Sequence, residues 1–137
     1  MRSGHGLRRT TNYGQCCGSS IPPSWRCSPG GSPWGSAARR LAPRCASYLG
    51  TDFSQAALDS LRRTVDDLGL AQVRLERREA VDFTGVADAS VDAVVIISVT
   101  QYFPDVAYLA AVLRQAARAV APGGSIFLGD VRDLDLL

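Results

Sequence analysis

Residues 91–99 read Val-Asp-Ala-Val-Val-Ile-Ile-Ser-Val, apolar except for Asp92 and Ser98 and mostly β-branched. This run is far too short to cross a bilayer and has the length of a strand. It lacks the alternation of a half-exposed strand, so both of its faces must be covered. That is the condition of a central strand in a parallel sheet with helices on each side. The flanking text agrees. Residues 47–51 predict a short strand. Ser54 is placed to cap a helix over Gln55–Asp67, with Gly69 at its end and Ala57, Leu58, Leu61, Val65 and Leu68 as the buried stripe. Val73 and Leu75 alternate with polar residues over 72–77 and predict a more exposed strand. A helix over 105–120 carries Val106, Leu109, Val112, Leu113, Ala116 and Val120 inward. Pro122-Gly123-Gly124 is a turn, and residues 125–128 a further buried strand ended by Gly129-Asp130. Strands alternating with helices of this length define an α/β chain with a parallel sheet and right-handed crossovers.

The strand over 47–51 ends in Tyr48-Leu49-Gly50-Thr51-Asp52-Phe53-Ser54. An acid at the carboxyl tip of a parallel strand is where an α/β nucleotide site holds ribose hydroxyls, because one carboxylate accepts hydrogen bonds from both members of a diol.

The front of the chain has a different character. Up to Gly50 there are seven Arg and no acid, whereas the remainder has eight Arg and all 13 acids. The halves carry about +7 and −5, for a net +2. Lys is absent, and the front Arg are scattered among Gly, Ser, Pro and Cys rather than clustered, so neither a nucleic-acid arm nor a membrane arm is expected. Cys16, Cys17, Cys27 and Cys45 lack zinc-ligand spacing and His5 is the sole His, so no metal site is expected and the thiols read as free. No apolar leader follows Met1, and the expected location is cytoplasmic. Residues 1–35 show no periodicity and are expected to be disordered, followed by one domain over 36–137, with a short helix at 36–44.

Residues 41–137 resemble part of a class I S-adenosylmethionine-dependent methyltransferase, and within that group the methyltransferase domains of nonribosomal peptide synthetases. The matching text is Leu41-Ala42-Pro43-Arg44-Cys45, the Tyr48 to Ser54 run, Gln101-Tyr102-Phe103-Pro104-Asp105 with Tyr108-Leu109, Ala121-Pro122-Gly123-Gly124, and Phe127 through Arg132. The resemblance implies a Rossmann-like, doubly wound sheet and S-adenosyl-L-methionine as cofactor. It implies that Asp52 binds the ribose, that Phe53 packs beside the adenine, and that Glu79 and Ala80 lie at the adenine edge. Ser98 would face the methyl donor, with Gln101 and Tyr102 on the side of a small-molecule or peptide-like acceptor. Neighbouring synthetase domains are the partners it implies. The sequence singles out no catalytic acid, base or nucleophile. None is required, since the sulfonium already activates the methyl group and the protein mainly aligns donor and acceptor.

The chain departs from the family pattern at two places. The opening strand and Glu-x-Gly-x-Gly-x-Gly loop should fall just upstream, but at family spacing the glycine positions hold Gly31, Pro33 and Gly35 and the acid position Pro29. Ile97 stands where relatives usually have Asn. The sheet is therefore expected to be incomplete, lacking its central strand and stopping before the closing hairpin, and the methionine end of the cofactor to be held weakly. The abrupt change near Leu41 reads as out-of-frame text upstream, and an alternative reading is a truncated, inactive remnant. A second alternative, a nicotinamide-dinucleotide-binding module, would need Gly-x-Gly-x-x-Gly before Asp52, which is missing as well.

Overall fold

The computed structural model describes Thr11–Asn12 and residues 39–131. Among the described residues, the strands and the two α-helices seen from end to end follow in the order β1 (Thr11–Asn12), β2 (Tyr48–Asp52), α1 (Gln55–Asp67), β3 (Val73–Arg77), β4 (Val91–Ile97), α2 (Val106–Ala119) and β5 (Val120–Gly129). Every strand pairing is parallel. β1, β2 and β3 form one ladder in that order, and β4 pairs with β5 in a second. β1 lies beside β4 as well as β2, so the two ladders meet there. The expected absence of a central strand is thus corrected at Thr11–Asn12, where two residues pair with Leu49 and Gly50. An open edge of backbone donors and acceptors on β2 favours such pairing. The rest of the expectation for residues 1–35 falls outside the described residues.

The apolar run behaves as its composition requires. Val94 and Ile96 pack with Val112, Ala116 and Ala119 of α2, while Val95 and Ile97 turn to the opposite face, against Leu41 and Phe127. Leu41 also belongs to the cluster that joins Tyr48 of β2 to Leu61 and Val65 of α1. α1 therefore covers the face opposite α2, and the sheet is doubly wound. Ile97, at the position where relatives usually carry Asn, is a buried member of this packing. β4 ends two residues earlier than its apolar text, because Ser98 turns into the left-handed region at φ 56°.

The caps of α1 match the sequence, whereas Asp105, expected as the first residue of α2, is its N-cap, and Val120, expected as its last, opens β5. Ser54 Oγ accepts from the Ala57 N–H at 3.3 Å, and Asp105 Oδ1 accepts from the Tyr108 N–H at 2.7 Å. Gly69, just past α1, has φ 62°. Leu68 and Val106, expected on the buried stripes, are instead exposed at the helix ends. Leu70, beyond the Gly69 reversal, packs where Leu68 was expected. Residues 39–41 are helical and run into a 3-10 turn at Ala42–Arg44, whose Ala42 carbonyl accepts from Gln72 Nε2 at 2.9 Å.

Pro122-Gly123-Gly124 forms a bulge inside β5. Val120 pairs with Val91 and Ser125 with Ala93, so four residues are looped out opposite Asp92. Gly123 has φ 82°, which glycine alone adopts cheaply. A Cβ on Gly124 would stand 2.5 Å from the Asp92 carbonyl oxygen and 2.9 Å from that of Ala121. β5 was expected to be buried but is only partly so, because among the described residues it has a strand on one side only. Since the clash at Gly124 is with backbone, Gly124→Ala should lower the unfolding free energy by about 1–3 kcal/mol. Urea melts check this, and an unchanged midpoint would show that the bulge relaxes freely.

Candidate functional site

Parallel pairing aims the carboxyl ends of all the strands the same way, and the tips of β2, β3, β4 and β5 open on one cavity of about 1110 Å³. This slightly exceeds the roughly 300–1,000 Å³ of ordinary small-molecule sites. All seven residues singled out from the sequence line it: Asp52, Phe53, Glu79, Ala80, Ser98, Gln101 and Tyr102.

Asp52 is the last residue of β2. Its Oδ1 accepts from the Ser54 N–H at 2.7 Å, a short turn that swings the chain into α1. Its backbone carbonyl accepts from the Arg78 N–H at 3.0 Å, which ties the tip of β2 to that of β3. Arg77 Nε donates to the Phe53 carbonyl at 3.0 Å, holding the next residue in place. Partial burial pushes the Asp52 carboxyl above its ordinary value, opposed by the backbone N–H groups of Ser54 and Phe53, which favour the charged form. A carboxylate offers about four acceptor positions, and these two donors leave room for a diol.

Arg78 forms an ion pair with Glu76, its Nε 2.8 Å from Oε2, and also bonds the Thr84 carbonyl. It is the only cation among the described residues of the cavity wall. In the loop beyond it, the Thr84 N–H donates to Asp82 Oδ1 at 2.9 Å. Hydrogen bonds from Thr84 and the nearby Arg78 charge hold the Asp82 carboxyl below its usual range. Ala80 is buried, whereas Glu79 is exposed at the rim.

Two aromatic rings stand over the opening. Phe53 and Tyr102 are 60% and 69% exposed, and they meet edge to face with centroids 6.5 Å apart. Phe103 turns inward instead and packs against Tyr108, the rings tilted by 58° with centroids 4.9 Å apart.

At the other end, Ser98 donates its hydroxyl to Asp130 Oδ2, and the Ser98 N–H donates to the Gly129 carbonyl at 3.2 Å. Gln101 Nε2 reaches back to the Ser98 carbonyl at 2.8 Å. Ser98 and Asp130 both have left-handed backbones, φ 56° and 57°. Such conformations cost on the order of 1–3 kcal/mol each in non-glycine residues, less for Asp. In the sequence Asp130 ends a strand and belongs to the Phe127–Arg132 string that resembles the family, but no site role is assigned to it there. The signal was present, since it is an acid one residue past a parallel strand, as Asp52 is at the tip of another.

A family model described as a methyltransferase domain matches residues 31–126. This chain belongs to that methyltransferase family. Membership implies S-adenosylmethionine as the cofactor. Chondramide synthase of Chondromyces crocatus is 46% identical over 101 residues, which are 72% of this chain and 2% of that protein. A protein of Salinispora arenicola described as a probable nonribosomal peptide synthetase is 41% identical over 97 residues, 71% of this chain and 1% of that one. The chain thus spans only 1–2% of the length of these relatives. Among solved structures, the N-methyltransferase NodS of Bradyrhizobium japonicum superimposes with a TM-score of 0.63 at 22% identity, over 74% of this chain and 55% of that one. An S-adenosylmethionine-dependent methyltransferase of Clostridium acetobutylicum does so at 0.61 and 18%, over 69% and 37%. These likenesses establish the Rossmann-like fold. Pro29, Gly31, Pro33 and Gly35, on which the expected loss of the glycine-rich loop rests, lie outside the described residues, as do His5, Cys16, Cys17 and Cys27. Cys45 is buried, and its Sγ donates to the Leu41 carbonyl at 3.2 Å.

Because its folded-state carboxyl is raised, Asp52 binds its proton more tightly in the fold than in the unfolded chain. Stability therefore falls as pH rises through the window from the ordinary carboxylate value upward, and the ionised group is a net cost at neutral pH. Asp52→Asn retains an acceptor for the Ser54 N–H. It should be at least as stable as the parent at neutral pH, with the difference closing in acid. Urea melts at the two pH values check this; a variant less stable at neutral pH would show that the carboxylate's hydrogen bonds outweigh its burial.

Proposed function

We propose that this chain is a methyltransferase domain that binds S-adenosylmethionine along the tips of β2, β3 and β4 and transfers its methyl group to a small-molecule or peptide-like acceptor. The observation that carries the reading is the gathering of all seven expected residues on the wall of one cavity. When bound, the cofactor supplies a methyl group activated by its sulfonium. The chain's own residues bind and align. Asp52 takes the ribose hydroxyls, Phe53 covers the adenine, and Glu79 and Ala80 border its edge. Ser98 faces the donor, and Gln101 and Tyr102 border the acceptor. The rings of Phe53 and Tyr102 help to exclude water, which strengthens the polar contacts beneath them.

The fit is good at the ribose end. The residues near Asp52 provide a carboxylate with open acceptor positions, an aromatic ring and a cavity of sufficient size. Synthetase domains as neighbours, and an acceptor delivered by them, are supported by the relatives in which similar domains occur. The match to the methyltransferase family favours this reading over a nicotinamide-binding module. The inactive-remnant reading rests on Pro33 at the middle of the expected glycine-rich loop, a residue with no backbone N–H to offer.

Calorimetric titration of the whole chain with S-adenosylmethionine separates these readings. Weak binding that falls by roughly 10–100-fold in Asp52→Ala is expected, in line with the ~1.5–3 kcal/mol of hydrogen bonds to a charged group. Binding that ignores Asp52 overturns the ribose assignment, and complete absence of binding favours the remnant.

A further inference from the structure

We infer that Arg78 is a positioning residue for the adenine end of the cavity, holding the loop of Glu79 and Ala80 to the strand tips without itself contacting the cofactor. This inference rests on the methyl-transfer reading above and adds to it a residue that no motif of the sequence assigned to the site.

Location is the first observation. Arg78 is the first residue past β3, and its N–H donates to the Asp52 carbonyl at 3.0 Å. Glu79 and Ala80 follow directly, so the start of their loop is tied to the residue that takes the ribose. Arg77, just before, donates Nε to the Phe53 carbonyl at 3.0 Å. Two successive arginines thus hold the two segments assigned to the adenine, Phe53 through Arg77 and the following loop through Arg78.

The second observation is how the Arg78 side chain is spent. It lines the cavity, yet it is only 16% exposed. Its Nε and Nη2 both bond Glu76 Oε2, Nε at 2.8 Å, and its Nη1 donates to the Thr84 carbonyl. Glu76 belongs to β3, whereas Thr84 lies six residues past Arg78. One planar fork therefore fastens the loop to the strand it leaves, a geometry that a single ammonium cannot copy.

The third observation is what this fork adds to the rest of the loop. Ala80, Phe83 and Val86 anchor its underside in the core with Val112 and Ala116. The Asp82 N–H donates to the Glu79 carbonyl at 3.0 Å, the Thr84 N–H to Asp82 Oδ1 at 2.9 Å and the Val86 N–H to the Phe83 carbonyl at 3.0 Å. These bonds shape the loop from within. Arg118 Nη1 ties its far end to α2, through the Val86 carbonyl at 3.2 Å. Arg78 ties it back to β3, beside Glu79 and Ala80. Adenine and hypoxanthine differ at the base edge, an amino group against a carbonyl. Telling them apart requires the residues at that edge to be held to about half an ångström.

The test compares the whole chain with Arg78→Lys and Arg78→Gln. Amide hydrogen exchange is followed without ligand. S-Adenosylhomocysteine and S-inosylhomocysteine, which differ only in that edge group, are then titrated by nuclear magnetic resonance. Arg78→Lys is the milder change and decides alone should Arg78→Gln not fold. In the variants, exchange at Asp82, Thr84 and Val86 is expected to quicken roughly tenfold, with the amides of α1 and α2 unchanged. The parent should prefer S-adenosylhomocysteine by roughly tenfold, and the preference should shrink to about threefold or less in the variants. Weaker binding with unchanged loop exchange makes Arg78 a direct contact and overturns the inference. So does a base preference that survives in the variants, or one absent from the parent. Exchange that quickens evenly through α1 and α2 assigns Arg78 to the fold as a whole and overturns it too. A parent that binds neither ligand contradicts the cofactor reading, and the inference falls with it. Failure of the inference alone leaves parent binding and its dependence on Asp52 intact.

Discussion

A strand that is apolar along its whole length cannot lie at a surface, and the burial of β4 on both faces is the constraint on which the other elements depend. Each Val or Ile removed from water contributes about 1.5–3 kcal/mol, so covering Val94, Ile96, Val95 and Ile97 dominates the local energetics. Satisfying one face recruits α2 through Val112, Ala116 and Ala119. Satisfying the other draws Leu41 and Phe127 across. The strands are paired in parallel, and parallel strands end at a common edge. The site is a consequence of this geometry. Four tips bring hydroxyls, carboxylates and aromatic rings to one opening from segments far apart in the chain.

That edge is chemically asymmetric. At β2 an acid is kept partly out of water and bonded by the N–H groups that open α1, so its charge is an unfavourable feature of the fold that ribose hydroxyls would offset. At β4 and β5 the unfavourable feature is conformational, in the paired left-handed residues Ser98 and Asp130. Both ends carry local costs that the packing around β4 sustains, the pattern expected where a fold supports a binding site rather than only itself. Phe53 and Tyr102 span the opening between the two ends.

Much of this was legible from residues alone. Helical spacing gave α1 with its ends intact, because Ser54 and Gly69 are strong local signals. The acid-tipped strand placed Asp52 correctly, since a seven-residue string held strand, tip and cap together. The failures have physical causes. Leu68 and Val106 fit a helical stripe but sit at the helix ends and are exposed, so periodicity overstates their burial. The end of β4 was hidden because nothing in Ser98-Val99 announces a positive φ. The Pro-Gly-Gly turn was seen, but its role as a bulge within one continuous strand depends on pairing with Asp92 and its neighbours, which is tertiary information. β1 is two residues long, too short for any period to register. The Phe127–Arg132 string includes Asp130, but its pairing with Ser98, 32 residues away in sequence, is tertiary information.

The claim at the centre of this account is that the strand tips form a methyl donor site with its ribose end at Asp52. A crystal structure of the whole chain soaked with S-adenosylhomocysteine tests it most directly. The account predicts the ribose diol within hydrogen-bond distance of the Asp52 carboxylate, the adenine against Phe53 near Glu79 and Ala80, and the sulfur directed toward Ser98. A ligand seated in the cavity with its ribose turned away from Asp52, or seated elsewhere on the molecule, would contradict it.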